Sequence, residues 1–186
     1  MDIEELENLL EAQSESTTLE FKADMAWNAQ SLAKDILAMS NMPDGGDIVI
    51  GVDDETNTRQ GVSAANIETF NFDIMKDQIS SFSDPFVEFN VYKFKDSQEK
   101  DYIVIRVKPF REVPVICRRN GTDVRGGVIY YRNTNGRPQS SQVSNSNDMR
   151  DIIELATIRM MRIKNKIGFT VLDSDKEILD NELQEL

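Results

Sequence analysis

Two short runs of this chain hold carboxylates where a packed core has no need of them. The first is Glu15-Ser16-Thr17-Thr18-Leu19-Glu20-Phe21-Lys22, and the second is Gly45-Gly46-Asp47-Ile48-Val49-Ile50-Gly51-Val52-Asp53-Asp54. From Leu19 to Asp24 apolar and polar residues alternate, the period of a strand buried on one face, so Glu20 and Lys22 share the polar face. Ile48 to Val52 is an apolar run broken only by Gly51, the pattern of a strand covered on both faces. Gly45 and Gly46 form the turn before it, and Asp53 and Asp54 are expected to emerge at its C-terminal mouth. If the two strands are neighbours, Glu20 and Asp54 converge. Glu15 joins them only if Ser16, Thr17 and Thr18, residue types that favour bends, turn the chain before the strand. The chain has no histidine, which removes the usual general base and the usual zinc ligand together. Any metal site must therefore be built from oxygen ligands, which suit magnesium, manganese or calcium; zinc and haem are not expected.

The elements that must position these residues follow from periodicity. Ile3, Leu6, Leu9 and Leu10 mark an amphipathic helix. Trp27 to Ser40 repeats Leu32, Ala33, Ile36, Leu37 and Met39 at helical spacing, with Lys34 and Asp35 on the expected solvent side. Ile67, Phe70, Ile74, Met75, Ile79 and Phe82 predict a third helix, ended by Asp84-Pro85. The period then shifts to two. Phe86 to Phe94 and Tyr102 to Val107 read as a hairpin, and Val113 to Cys117 and Val128 to Arg132 as two further strands. Residues 133–147, rich in Ser, Asn and Gln, read as a loop or tether. A long helix follows through Met149, Ile152, Ile153, Ala156, Met160, Ile163 and Ile167. Ser174 and Glu177 form a capping-box pattern for a last acidic helix. The fold class expected is α+β: a mixed, mostly antiparallel sheet with helices packed on it, as one domain over 1–140, plus C-terminal helices in an extension over 141–186.

The formal net charge of −12 over 186 residues argues at first against a nucleic-acid partner. The total conceals an asymmetry. Lys100, Arg106, Lys108, Arg111, Arg118, Arg119, Arg125, Arg132 and Arg137 face only Asp101, Glu112 and Asp123 in the same stretch. Either this is a localised polyanion site or a solvated sheet face whose arginines pair with acids elsewhere. On the first reading the contact residues are Arg106, Lys108, Arg118, Arg119, Arg132 and Arg137, with Tyr131 as a stacking or phosphate-contacting tyrosine. No Gly-x-x-x-x-Gly-Lys-Ser/Thr loop occurs, so ATP is not an expected ligand. No apolar run is long enough for a membrane span. Cys117, the lone cysteine, admits no intrachain disulfide and points to a reducing cytoplasm.

Glu-Ser-x-x-Leu-Glu-Phe-Lys, the helix ending in Ala38-Met39-Ser40-Asn41, Gly-Gly-Asp-Ile-Val-Ile-Gly-Val-Asp-Asp and the later Gly61 together resemble the AlbA-type domain of the Schlafen family. In bacterial and phage proteins that domain is also labelled DNA-binding or divergent AAA. The resemblance runs roughly from Ile3 to Leu155 and takes in Ile129-Tyr130-Tyr131-Arg132, where the family has a Tyr-x-Arg-like segment. It implies nucleic-acid binding, to RNA or DNA. In the nuclease members it also implies a metal-dependent endoribonuclease centre of three carboxylates, which would fall on Glu15, Glu20 and Asp54 and hold magnesium or manganese, with Lys22 stabilising charge in the transition state. Relatives that are not nucleases carry the same motifs, so a binding domain, an endoribonuclease and a protein-interaction module all stay open. This chain has one copy of a domain that the vertebrate nucleases pair as two lobes, and Met42-Pro43-Asp44 replaces the usual short link before Gly45. A homodimer through the C-terminal helices is expected to supply the second lobe.

Overall fold

The computed structural model describes residues 3–12, 14–133 and 138–166. It is built on a four-stranded sheet in the order β1-β2-β5-β4, formed by β1 (Leu19–Lys22), β2 (Gly46–Ile50), β4 (Phe89–Lys95) and β5 (Asp101–Val107). β1 runs parallel to β2, and the β2–β5 and β4–β5 pairs are antiparallel. The mixed, mostly antiparallel α+β architecture is therefore the one the residue pattern predicts.

Alternation along the strands sends two sets of side chains to opposite faces. Ile48, Ile50, Ile103 and Ile105 pack with Leu32, Ile36 and Leu37 of α2 (Ala29–Ser40) and with Met75 and Ile79 of α4 (Phe72–Ser80). Phe21, Val49, Tyr102 and Val104 pack on Leu6 and Leu10 of α1 (Ile3–Leu10). Each large apolar side chain buried in this way contributes about 1.5–3 kcal/mol.

α2 is buried on more than one side. Ile36, Leu37, Ala38 and Met39 are consecutive and all fully buried, which no helix lying on a single sheet can achieve. The second cover is a ribbon of β7 (Tyr130–Asn133) and β8 (Gln139–Gln142), antiparallel to each other and packed on the helix. Asp35, assigned to the solvent side by its neighbours in sequence, is consequently buried.

Further local differences have local causes. The expected third helix is divided into α3 (Ala64–Ile67) and α4, because the Asn71 side chain accepts hydrogen bonds from the Asp73 and Ile74 backbone amides and starts a new helix there. Two short strands, β3 (Ser83–Asp84) and β6 (Ile116–Cys117), pair with each other. β8 lies inside the stretch read as a tether, and the boundary expected at 140/141 falls within that strand. α5 (Ser146–Lys166) docks through Ile152, Ala156 and Arg159; the Arg159 guanidinium lies 4.2 Å from the centre of the Phe110 ring and donates to the Phe110 and Pro43 carbonyls. Ile153, Met160 and Met161 of the same helix are exposed, on one of the C-terminal helices through which a homodimer is expected. The remainder of that expected contact, the last acidic helix at Ser174 to Leu186, lies outside the described residues. No described helix is long and apolar enough to cross a membrane.

Asn41, just past α2, ties the layers together. Its side-chain nitrogen donates to the carbonyls of Val115 and Tyr130, both at 2.9 Å, and its oxygen accepts from the Val115 amide at 2.8 Å. All of these groups are buried, so a substitution leaves backbone donors and acceptors without partners. Asn41→Ala is expected to cost about 2–4 kcal/mol in urea denaturation with an unchanged m-value, whereas a loss below about 1 kcal/mol would show that the backbone groups find other partners.

Candidate nucleic-acid interface

Glu20 and Lys22 do share a face of β1, but that face is covered. Opposite Ile48 and Ile50 in the parallel pair, they point toward α2 and the β7–β8 ribbon. Glu20 is ion-paired with Lys22 and with Arg132, and Lys22 also lies 3.4 Å from the Asp35 carboxylate. Two acids and two bases thus balance within the fold. Arg132 is fully buried. Beyond Glu20 it donates to the Ser16 carbonyl at 2.6 Å and the Leu19 carbonyl at 3.2 Å. Burial pushes the Glu20 carboxyl above its ordinary range and the Asp35 charge adds to this, against the opposing pull of Lys22 and Arg132. For Lys22 burial acts downward, but the Asp35 and Glu20 carboxylates outweigh it and hold the ammonium above its usual value.

The Ser16-Thr17-Thr18 bend is present, closed by hydrogen bonds between Ser16 and Leu19. Through it Glu15 reaches back to accept from the Phe21 backbone amide at 3.2 Å. Asp54 lies elsewhere. Glu20 sits opposite Ile48, and the chain beyond Ile50 bends at Gly51 (φ 111°) into a turn closed by the Val52–Arg59 bridge. In that turn the Thr56 side chain and amide bond to Asp53 and hold its carboxyl below the usual range. Adjacent strands were the condition for Glu20 and Asp54 to meet. The strands are adjacent, but Asp54 lies six residues beyond Ile48, the position opposite Glu20, past the bend at Gly51.

This arrangement does not fit a carboxylate-held cation. Among the described residues no three His, Cys, Asp or Glu side chains are grouped to hold a metal ion. Both Glu20 oxygens already face cationic side chains, and one Glu15 oxygen faces a backbone amide. Lys22, expected to stabilise charge on a substrate, neutralises Glu20 and Asp35.

The basic residues divide into two groups. Arg106 makes a two-pronged contact with Asp47 at 2.8 and 3.1 Å and lies 3.7 Å from Glu5. Lys108 pairs with Glu88, as does Arg111. Arg132, expected at a strand end within reach of a ligand, is internal. Tyr131 is half-buried, and burial together with Asp151 and Asp148 raises its phenol pKa; acids beside it are the wrong neighbours for a phosphate. Arg137 lies outside the described residues. Arg118, Arg119 and Arg125 are different: all are exposed, and none has an acidic partner among the described residues.

These three arginines stand on one braced hairpin tip, residues 118–127. Cys117 and Val128 pair through their backbones, and Gly121 bonds to Val124 to close an inner turn. The Asn120 side chain accepts from the Gly126 amide and the Tyr130 hydroxyl from the Arg125 amide. Gln30, in the first turn of α2, accepts from the Thr122 amide at 3.0 Å and pins the tip to the helix. Between tip, helix and ribbon lies an open recess of about 730 Å³ lined by Lys34, Asn120, Thr122, Arg125, Ser141 and Gln142 among others, with Asp123 the only acid among its described lining residues. Lys34, on the solvent side of α2 by its spacing, is isolated among the polar and apolar residues of that helix and joins Arg125 at this recess only through tertiary packing.

A family model described as Schlafen, AlbA_2 matches residues 15–140. No curated protein matches the chain. Among solved structures, a Corynebacterium diphtheriae protein superposes with a TM-score of 0.53 at 18% identity, covering 80% of this chain and 27% of its own. The N-terminal domain of a protein from Nitrosomonas europaea, described as related to the ATP-dependent DNA helicase RecG, gives a TM-score of 0.46 at 19% identity, covering 77% of this chain and 95% of its own. This chain therefore spans about a quarter of the Corynebacterium protein.

Within the matched span Glu20 and Arg132 are tested as a structural pair. Glu20→Gln and Arg132→Met are each expected to destabilise by about 3–5 kcal/mol, since each strands a buried charge, and the double variant by less than the sum; additive losses in chemical denaturation would deny the coupling. Lys22 supplies a pH signature. Its pKa is raised in the folded state, so its contribution is complete below the ordinary 10.5 and is lost as pH climbs through the higher folded value. The Tm gap between the wild type and Lys22→Met should accordingly stay flat from neutral pH to near 10.5 and narrow above it.

Proposed function

Because the chain belongs to the Schlafen AlbA_2 family, we propose that it is a nucleic-acid-binding domain whose contact surface is the 118–127 hairpin tip with Lys34, rather than the whole basic stretch. One observation carries the proposal: Arg118, Arg119 and Arg125 stand on one hydrogen-bonded tip, with Asp123 its single acid, and have no acidic partners among the described residues, while Arg106, Lys108, Arg111 and Arg132 are all committed to carboxylates. Exposed guanidiniums without acidic partners are suited to phosphate oxygens, because no ion pair has to be broken on binding and the counterions they displace drive association. The hydroxyls and amides of the adjoining recess add neutral donors and acceptors for sugar and base edges.

The acidic remainder of the molecule restricts where a polyanion can land. Like charge repels it from most of the surface and leaves the tip as the favourable approach. Both RNA and DNA present the phosphates this surface would read. Cleavage forms no part of the proposal, since Glu15, Glu20 and Asp54 are not gathered as a ligand set.

Binding to a labelled oligonucleotide should weaken steeply with salt, and Arg118→Gln, Arg119→Gln and Arg125→Gln should each reduce the slope of log K against log salt by about 1. Arg106→Gln and Lys108→Gln should leave that slope unchanged. A triple hairpin variant that binds as the wild type does would remove the proposal.

A further inference from the structure

Beside the arginine tip, on the other side of Gln30, is a second and smaller recess of about 310 Å³. Trp27 and Arg119 both line it, together with the Asn28, Gln30 and Gln78 side chains and Phe82. We propose that this recess is a slot for one nucleobase of a single strand, held between the Trp27 indole and the Arg119 guanidinium while the phosphates follow the arginine tip. The inference rests on the reading of that tip as a polyanion surface.

The two planar groups are pre-positioned. The Trp27 amide donates to Thr69 at 2.8 Å, its indole N–H donates to Gln78 at 2.7 Å, and its ring meets Phe70 edge-on at 6.0 Å. The Arg119 guanidinium lies 4.3 Å from the centre of the Phe82 ring, and the residue remains exposed. A base entering here meets an aromatic surface and a guanidinium already stacked on an aromatic ring, the two groups that bind unpaired bases with little regard to sequence. Since both are held before the ligand arrives, few rotamers are lost on binding.

The rim supplies hydrogen-bond donors. The side-chain oxygen of Asn28 accepts from the Gln30 and Ser31 amides, that of Gln30 from the Thr122 amide, and that of Gln78 from the Trp27 indole. Each amide is oriented by its oxygen, and the three NH2 groups have no protein partner among the described residues. Such donors match the ring nitrogens and carbonyl oxygens on base edges. A paired base inside a duplex presents neither its faces nor its pairing edge, so the slot selects single strands.

Trp27 is the only tryptophan of the chain, so its fluorescence reports the slot directly in the unmodified protein. Short oligouridine should quench that emission and bind on the order of ten-fold more tightly than an abasic phosphodiester of equal length and charge. Trp27→Ala should bring oligouridine down to the abasic level, and Trp27→Phe, which keeps a stacking ring, should recover part of the difference. Equal affinity for the two polymers without quenching would overturn the slot and leave the arginine tip standing, whereas failure of the wild type to bind either would remove both. Uridine monophosphate quenching at the concentration that suffices for the oligomer would overturn the assignment to a polymer.

Discussion

The contact between Glu20 and Arg132 is the constraint around which the rest of the structure is arranged. A guanidinium with no solvent exposure must find its compensation inside the protein, because an uncompensated charge in a low-dielectric interior costs more than most domains have in total stability. Glu20 supplies the opposite charge and the Ser16 and Leu19 carbonyls supply acceptors. Lys22 and Asp35 then complete the balance. The contributors come from β1, α2 and β7, so the pairing sets how the sheet, the helix and the outer ribbon meet. It also sets register: a one-residue slip of β7 would bring Tyr131 or Asn133 into the position of Arg132 and leave Glu20 and Lys22 against the wrong partners.

This internal arrangement shapes the outer surface. β7 packs across α2, and the connection from β6 to β7 is pinned to the first turn of that helix through Gln30. That connection is the hairpin carrying Arg118, Arg119 and Arg125. Its position is maintained by backbone hydrogen bonds to the side chains of Gln30, Asn120 and Tyr130 and by the Arg119 guanidinium over Phe82, so no ion pair among the described residues is needed to hold its arginines. An acidic protein can in this way display a small basic site: the cations paired within the fold are neutralised locally, and those on the hairpin remain available to solvent.

The same separation accounts for the carboxylates. Glu20 lies in a motif that suggests metal chemistry, yet in this fold its oxygens face two cations. Hard-cation sites need carboxylates with free lone pairs converging on one point. Asp54 sits beyond the bend at Gly51, so the parallel alignment of β1 with β2 does not produce that convergence.

Much of the architecture was legible in residue order. Alternation marks β1 and the β4–β5 hairpin, a continuous apolar run marks β2, helical spacing marks α1, α2 and α5, and the paired motifs resemble the family whose model matches residues 15–140. These features are local, since strand and helix periods are written within a few residues. What was not local could not be read. Asp35 looked solvent-facing because nothing within α2 announces a second covering layer, and β8 looked like a tether because its Gln and Ser residues gain a strand partner only across the chain. Arg132 and Arg118 are the same residue type in the same basic stretch, and composition treats them alike. Only the tertiary structure decides that one is enclosed beside Glu20 and the other left in water, because burial and charge pairing depend on which distant segments the fold brings together.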